Sequence, residues 1–218
     1  MKSFFCALLL VFLTGCTAVE GLSNRTTFPY SAGEILVSKA KGGCLIQIFD
    51  AITPDMVGAF KLALDDFKSR NCESRWITLA SPGGSVSAAF QIGNLIRDNG
   101  LNTQLLADGG ECSSACGIMF IAGVRRGVNQ GLIGGGNIGF HQISVTDAKG
   151  NKSCLQQPSP AYTALERYAN RMLPQKGAET FVKMVGSTSC HQMQQYRYVT
   201  LLDAGIVTGK EGAGIRLF

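Results

Sequence analysis

The chain has 218 residues, a formal net charge of +5 and 16% charged residues. Its basic residues are scattered rather than gathered into a stripe, and no aromatic platform for stacking bases stands beside them, which argues against a nucleic-acid binder. About 200 residues lie beyond the apolar leader, enough for one domain with a substantial core.

Lys2 is followed by the apolar run Phe4-Phe5-Cys6-Ala7-Leu8-Leu9-Leu10-Val11-Phe12-Leu13. The run is too short for a comfortable membrane span and fits the core of a secretory signal. It ends in Leu13-Thr14-Gly15-Cys16, which resembles the bacterial lipoprotein cleavage box, in which the cysteine is lipidated and becomes the first mature residue. The alternative is an ordinary signal peptide with a chance cysteine. Thr17 stands where an Asp would favour inner-membrane retention, so the resemblance implies the outer membrane. The expected organisation is a signal peptide over 1–15, a lipidated N-terminus and tether over 16–33, and one domain over 34–218.

Within that domain, Ile35-Leu36-Val37 reads as a short strand and Cys44 to Phe49 as a clearer one. Thr53-Pro54-Asp55 carries helix-start chemistry, and Met56, Phe60, Leu64 and Phe67 then recur at helical spacing. Trp76 to Ala80 is the next strand, completing a βαβ unit. The step repeats: a helix over 85–99 ended by Asn99-Gly100, then a strand over 101–107. The small residues Gly110 to Gly117 follow and lead into Ile118-Met119-Phe120-Ile121. Gly134-Gly135-Gly136-Asn137 reads as a turn, Ile138-Gly139-Phe140 as a strand carrying His141, and 147–152 as a polar loop. Helices are expected over 160–173, stopped by Pro174, and over 177–186.

The sequence holds eight cysteines. Without Cys6 and Cys16, an even set is left: Cys44, Cys72, Cys112, Cys116, Cys154 and Cys190. In an exported chain that favours disulfides. Cys44–Cys72 would clamp two strand starts, and Cys154–Cys190 would close a helical stretch. Cys112 and Cys116 stay open between a disulfide around Ser114 and two small buried thiols packing the turn, with the thiols slightly favoured. They do not make a closed zinc site without a second nearby pair, and neither metal nor cofactor is expected.

Strand, small residues, then apolar helix is the layout of a nucleophile turn. Attack on a peptide carbonyl needs a hydroxyl, a base, oxyanion donors and a place for the substrate strand. Ser114 supplies the hydroxyl, with Ser113 as runner-up, and His141 the base. Gly84 and the N–H of Ala115 supply the donors, and Gly83 with Gly84 offers backbone to an extended peptide. Each part has a structural reading of its own: a serine in such a turn is commonly a helix cap, Ser81-Pro82-Gly83-Gly84 a plain turn, and a lone histidine a structural one. Their order along the chain favours the catalytic combination.

The segments Ile77 to Gly84, Gly110 to Gly123 and Gly139-Phe140-His141-Gln142, with the weaker Leu202 to Val207, resemble the Clp-type serine peptidases of the Clp/crotonase superfamily. The resemblance spans roughly residues 44–207. It implies an α/β fold of repeated ββα and βα units in stacked sheets with a helical arm over about 142–190. It also implies Ser114 as nucleophile, His141 as base, and Gly84 and Ala115 as the oxyanion hole. The family's third triad member is an Asp, but Cys190 to Tyr198 contains no acid, so Gln194 or Gln195 is the candidate orienter of His141. Such a neutral orienter stabilises an imidazolium less than a carboxylate does. The expected protein is an ATP-independent serine endopeptidase of the cell envelope, held to the membrane by a lipid anchor and facing the periplasm. It would act on peptides or unfolded polypeptides and have no ATPase partner. Ring-forming relatives leave room for a homo-oligomer. The alternative is a non-catalytic peptide-binding lipoprotein of the same fold; an acyl-CoA enzyme is a weaker third.

Overall fold

A computed structural model describes residues 25–40, 43–73, 75–106, 110–128 and 136–209. The signal segment, Cys16, Ala107 and the pair Gly134-Gly135 lie outside the described residues. Strand β1 (Arg25–Tyr30) forms a hairpin with β2 (Gly33–Ala40), so the domain begins inside the stretch assigned from sequence to a tether. Composition hid this strand. Its exposed positions are Arg25, Thr27 and Pro29, while Phe28 and Tyr30 on the alternate face pack partly buried against the core, the period-two pattern of a half-buried strand.

The main sheet runs β1-β2-β3-β4-β5-β7, where β3 is Gly43–Ile48, β4 Arg75–Leu79, β5 Asn102–Leu105 and β7 Arg126–Val128. The first three strands are antiparallel and the last four run parallel. Helix α1 (Met56–Ser69) crosses from β3 to β4, and α2 (Val86–Asp98) from β4 to β5. The stripe expected on α1 is buried as Met56, Phe60, Leu64 and Phe67, and each such side chain stabilises by about 1.5–3 kcal/mol. The N-cap of α1 is Asp55 rather than Thr53. The Thr53 hydroxyl instead donates to the Asp55 carboxylate at 2.6 Å, which also accepts from the backbone and hydroxyl of Ser31. That cluster ties the β1–β2 turn to the start of α1.

A second sheet carries the site. In it β8 (Ile138–Phe140) is central, with β6 (Cys112–Ser113) parallel on one side and β11 (Gln194–Tyr196) antiparallel on the other. Helix α3 (Ala115–Phe120) leaves β6 directly. The polar loop expected near 147–152 is the tip of a hairpin, β9 (Ser144–Thr146) paired with β10 (Lys152–Cys154). Helices α4 (Pro160–Met172) and α5 (Gln175–Gly186) form the arm, and α6 (Tyr198–Asp203) ends at Gly205, whose φ of 70° favours glycine. The arm is fixed to the second sheet and α3. Phe181 meets Phe140 edge-on at 5.2 Å, and the Tyr168 hydroxyl donates to the Ile118 carbonyl at 2.9 Å. Among the described residues no helix is long and apolar enough to cross a membrane.

Candidate active site

Ser114 sits between β6 and α3 with φ 56° and ψ −119°. A non-glycine residue so placed costs on the order of 1–3 kcal/mol and persists only where its surroundings impose it. Several contacts do so here. The Ser113 N–H donates to the Ser81 carbonyl at 3.0 Å, the Ser114 N–H to the Gly139 carbonyl at 2.7 Å, and the Gly117 N–H to the Ser114 carbonyl at 3.1 Å. A Cys112–Cys116 disulfide spans the bend. The two cysteines are therefore not the free buried thiols favoured from sequence, because the bend brings their Cα atoms to 5.2 Å, inside the bridging range. The Ser114 side chain makes no capping hydrogen bond, so its hydroxyl is not spent on the helix. Ser113 is excluded as nucleophile: it is fully buried and donates to the Glu111 carboxylate at 2.6 Å.

The glycine segment lies directly against this elbow. Buried Ser81 donates through its hydroxyl to the Asp50 carbonyl at 2.7 Å and accepts the Gly83 N–H at 3.1 Å. The Ile52 N–H then donates to the Gly83 carbonyl at 2.8 Å, and the Ser85 N–H to the Ile52 carbonyl at 2.7 Å. Gly83 and Gly84 take φ of 96° and 142°, values that favour glycine. A Cβ on Gly83 would lie 2.5 Å from the Ser113 carbonyl oxygen and 2.9 Å from the Ser114 Cβ. The N–H groups of Gly84 and Ala115 donate to no group among the described residues. Both residues line the cleft that holds Ser114. Two unspent donors held by a fixed backbone beside a hydroxyl suit an oxyanion.

His141 follows β8 and lines the same cleft of about 240 Å³. Its Nδ1 is 2.6 Å from the carbonyl oxygen of Gln142. A carbonyl only accepts, so Nδ1 carries the hydrogen, and Nε2 of the neutral ring is the free acceptor. That is the tautomer a general base needs. Burial holds the imidazole below its ordinary pKa, the Gln142 contact opposes this, and the Lys152 charge pushes it lower again. Among the described residues no hydrogen bond joins the Ser114 hydroxyl to His141. Such bonds are commonly loose in unliganded sites and tighten around substrate.

The structure thus brings Ser114, His141, Gly84 and Ala115 to one cleft, with Gly83 packed behind it. Among the described residues neither Gln194 nor Gln195 hydrogen-bonds to His141. Both lie on β11, opposite Phe140 and Gly139, and the Gln194 amide donates to the Gln195 carbonyl. The main-chain oxygen of Gln142 occupies the orienting position instead, a role that side-chain inspection of the sequence does not reveal. Lys152 was also missed: it lines the cleft from β10, and its Nζ donates to the Cys190 carbonyl at 2.7 Å. Its signal was hidden because it ends a polar run that reads as loop. Cys44–Cys72 and Cys154–Cys190 are bonded as expected.

Stacked sheets, a glycine segment after β4 and an elbow after β6 make an α/β fold of the kind expected from the sequence, and the solved structures similar to this chain share it. A serine-to-alanine mutant of the 1510-N membrane-bound stomatin-specific protease superposes with TM-score 0.57 at 16% identity, over 74% of this chain and 75% of that one. A lysine-to-alanine mutant of the same protease, in complex with a substrate peptide, gives TM-score 0.56 at 17% identity over 74% and 71%. An asparagine-to-aspartate mutant of ClpP1 from Listeria monocytogenes gives 0.54 at 16% identity over 75% and 88%. At these identities the likeness is one of fold. No family model matches the chain, and no curated protein matches it in sequence.

Proposed function

We propose that the chain is an ATP-independent serine endopeptidase acting on peptides or unfolded proteins in the cell envelope. The observation that carries this reading is the elbow itself: a strained serine with an unspent hydroxyl, between two unspent N–H groups and a histidine in the base tautomer. In the proposed reaction His141 Nε2 takes the hydroxyl proton as Ser114 Oγ attacks the carbonyl carbon. The oxyanion is received by Gly84 and Ala115, and the proton passes to the leaving amine. Water, activated by the same imidazole, then releases the acyl group from Ser114.

The deciding experiment is a fluorophosphonate probe on the purified protein beside Ser114→Ala. Labelling at Ser114 supports the peptidase, and a folded protein that never labels removes it. The second reading, a non-catalytic peptide-binding protein, is favoured because among the described residues no carboxylate hydrogen-bonds to His141; it requires the unlabelled result together with peptide binding. The Leu13 to Cys16 box supports lipid anchoring at the outer membrane, and disulfides support an oxidising compartment such as the periplasm. Cys16→Ser should release the protein from the membrane fraction, and unchanged fractionation counts against the anchor. The likeness of fold to ClpP1 supports a homo-oligomer, read by native mass spectrometry.

A further inference from the structure

The candidate cleft has a chemical asymmetry that the peptidase reaction does not require. Val86, Ile118, Phe140, Ile143 and Val185 give it an apolar wall, while among the described residues Lys152 is the one Lys or Arg that lines it and no Asp or Glu does. Among the described residues Lys152 forms no ion pair. The nearest acid along its hairpin, Asp147, is occupied by the turn, accepting from the backbone N–H of Lys149 and Asn151 and from the Asn151 amide.

Nor is this an ordinary loose surface lysine. Residue 152 is held in register by pairing with Thr146 across the hairpin. Its ammonium donates to the Cys190 carbonyl at 2.7 Å. Cys190 is in turn bonded to Cys154 on the same short strand, and its N–H donates to the Cys154 sulfur at 3.0 Å. The disulfide thus ties the carbonyl that holds the ammonium back to the strand that carries Lys152. An ammonium has three donors, and among the described residues one is used, which leaves two for a ligand in the cleft that Lys152 lines.

We infer that Lys152 selects the substrate: the cleft takes a polypeptide presenting a large apolar residue with a carboxylate beside it, the apolar side chain on the wall and the carboxylate on the Lys152 ammonium. The inference rests on the peptidase reading of the same cleft. A carboxylate reaching Lys152 gains a charge-assisted hydrogen bond, whereas a basic side chain there meets an unpaired like charge. The carboxylate can be an Asp or Glu side chain or the free C-terminus of a short peptide, and both offer the same chemistry.

The test uses internally quenched peptides sharing one central Leu, cleaved by the purified protein, its Lys152→Met form and its Lys152→Glu form. One peptide carries a neighbouring Glu with an amidated end, one a Gln with an amidated end, one a Gln with a free carboxylate close by, and one a Lys with an amidated end. The wild type should cleave a carboxylate-bearing peptide about tenfold better than the neutral amide, mainly through KM, and the Lys peptide worst. Comparing the Glu peptide with the free-end peptide tells which carboxylate is read. Lys152→Met should compress this order, and Lys152→Glu should invert it. Equal cleavage of all peptides by a wild type that labels at Ser114 overturns the inference and leaves the peptidase reading standing. So does a uniform loss on every peptide in both variants, which places Lys152 in the chemical step instead. A wild type that neither labels nor cleaves overturns both.

Discussion

Three helices among the described residues start at a serine, α2, α3 and α4, and two of these serines, Ser85 and Ser114, are used in opposite ways. At the start of α2, Ser85 has extended backbone, φ −66° and ψ 113°, and its hydroxyl accepts the Ala88 N–H at 3.2 Å. It satisfies one of the donors a helix start leaves open. At the start of α3, Ser114 is forced to positive φ, and its hydroxyl caps nothing. The first arrangement spends a side chain to gain stability. The second gives up stability to keep a side chain available, and the neighbouring N–H of Ala115 is left open with it. Where a hydroxyl goes unspent at a strained backbone, the surroundings must supply the compensation. Here these are the Ser81 and Gly139 carbonyls, the glycine segment and the Cys112–Cys116 bond.

Substitutions can break that contrast. The largest effect is expected on the chemistry around Ser114. His141→Gln should lower kcat about 10²–10⁴-fold while the fold is kept, because a general base contributes on that scale; steady-state kinetics with circular dichroism checks both halves. Gly84→Ala comes next. Its φ of 142° and a Cβ 2.2 Å from the Ile52 carbonyl oxygen force that strand of backbone to move. Loss of one oxyanion donor predicts about 10²–10³ in kcat, with a fall in melting temperature.

Two serine variants sharpen the comparison further. Ser114→Gly removes the nucleophile and relieves the positive φ, so activity should vanish while stability rises by about 1 kcal/mol. Ser85→Ala should do the reverse, costing about 1 kcal/mol of stability while Ser114 still labels. Denaturant midpoints for the pair decide it, and equal shifts of one sign would collapse the distinction. The smallest effect is in the pH profile. The base must be neutral to act, and burial and the Lys152 charge hold His141 below the ordinary imidazole value of 6.5. The acid limb of kcat/KM should therefore lie below that value, with activity complete at neutral pH and lost as the pH falls through the limb. Lys152→Met removes one lowering influence, so the limb should move upward.

Much of this is legible in the sequence. Helices α1, α2, α4 and α5 announce themselves through apolar spacing and end signals, and strands β3, β4 and β5 through short apolar runs, whereas β6 and β7 carry no such run. Ser114, His141 and the glycine pair stood out because their chemistry is carried by residue type. What stayed hidden is carried by the main chain or by tertiary contact. The Gln142 carbonyl that orients His141 has no signature in a sequence, since every residue owns a carbonyl. Strand β1 is masked by Arg25, Thr27 and Pro29 at its alternate positions, and Lys152 by a hairpin too short and polar to show periodicity. The Cys112–Cys116 bond depended on a bend whose angle no spacing rule gives.

The cysteines among the described residues also have a bearing on how the chain is made. They pair strictly with their next neighbour in the sequence: Cys44 with Cys72, Cys112 with Cys116, Cys154 with Cys190. Of the fifteen ways to pair six thiols, this is one in which no bond encloses or crosses another. A chain emerging N-terminus first into an oxidising space can close each bond before the next pair arrives. Its biogenesis then calls for an oxidant to make disulfides, and not for an isomerase to reshuffle them.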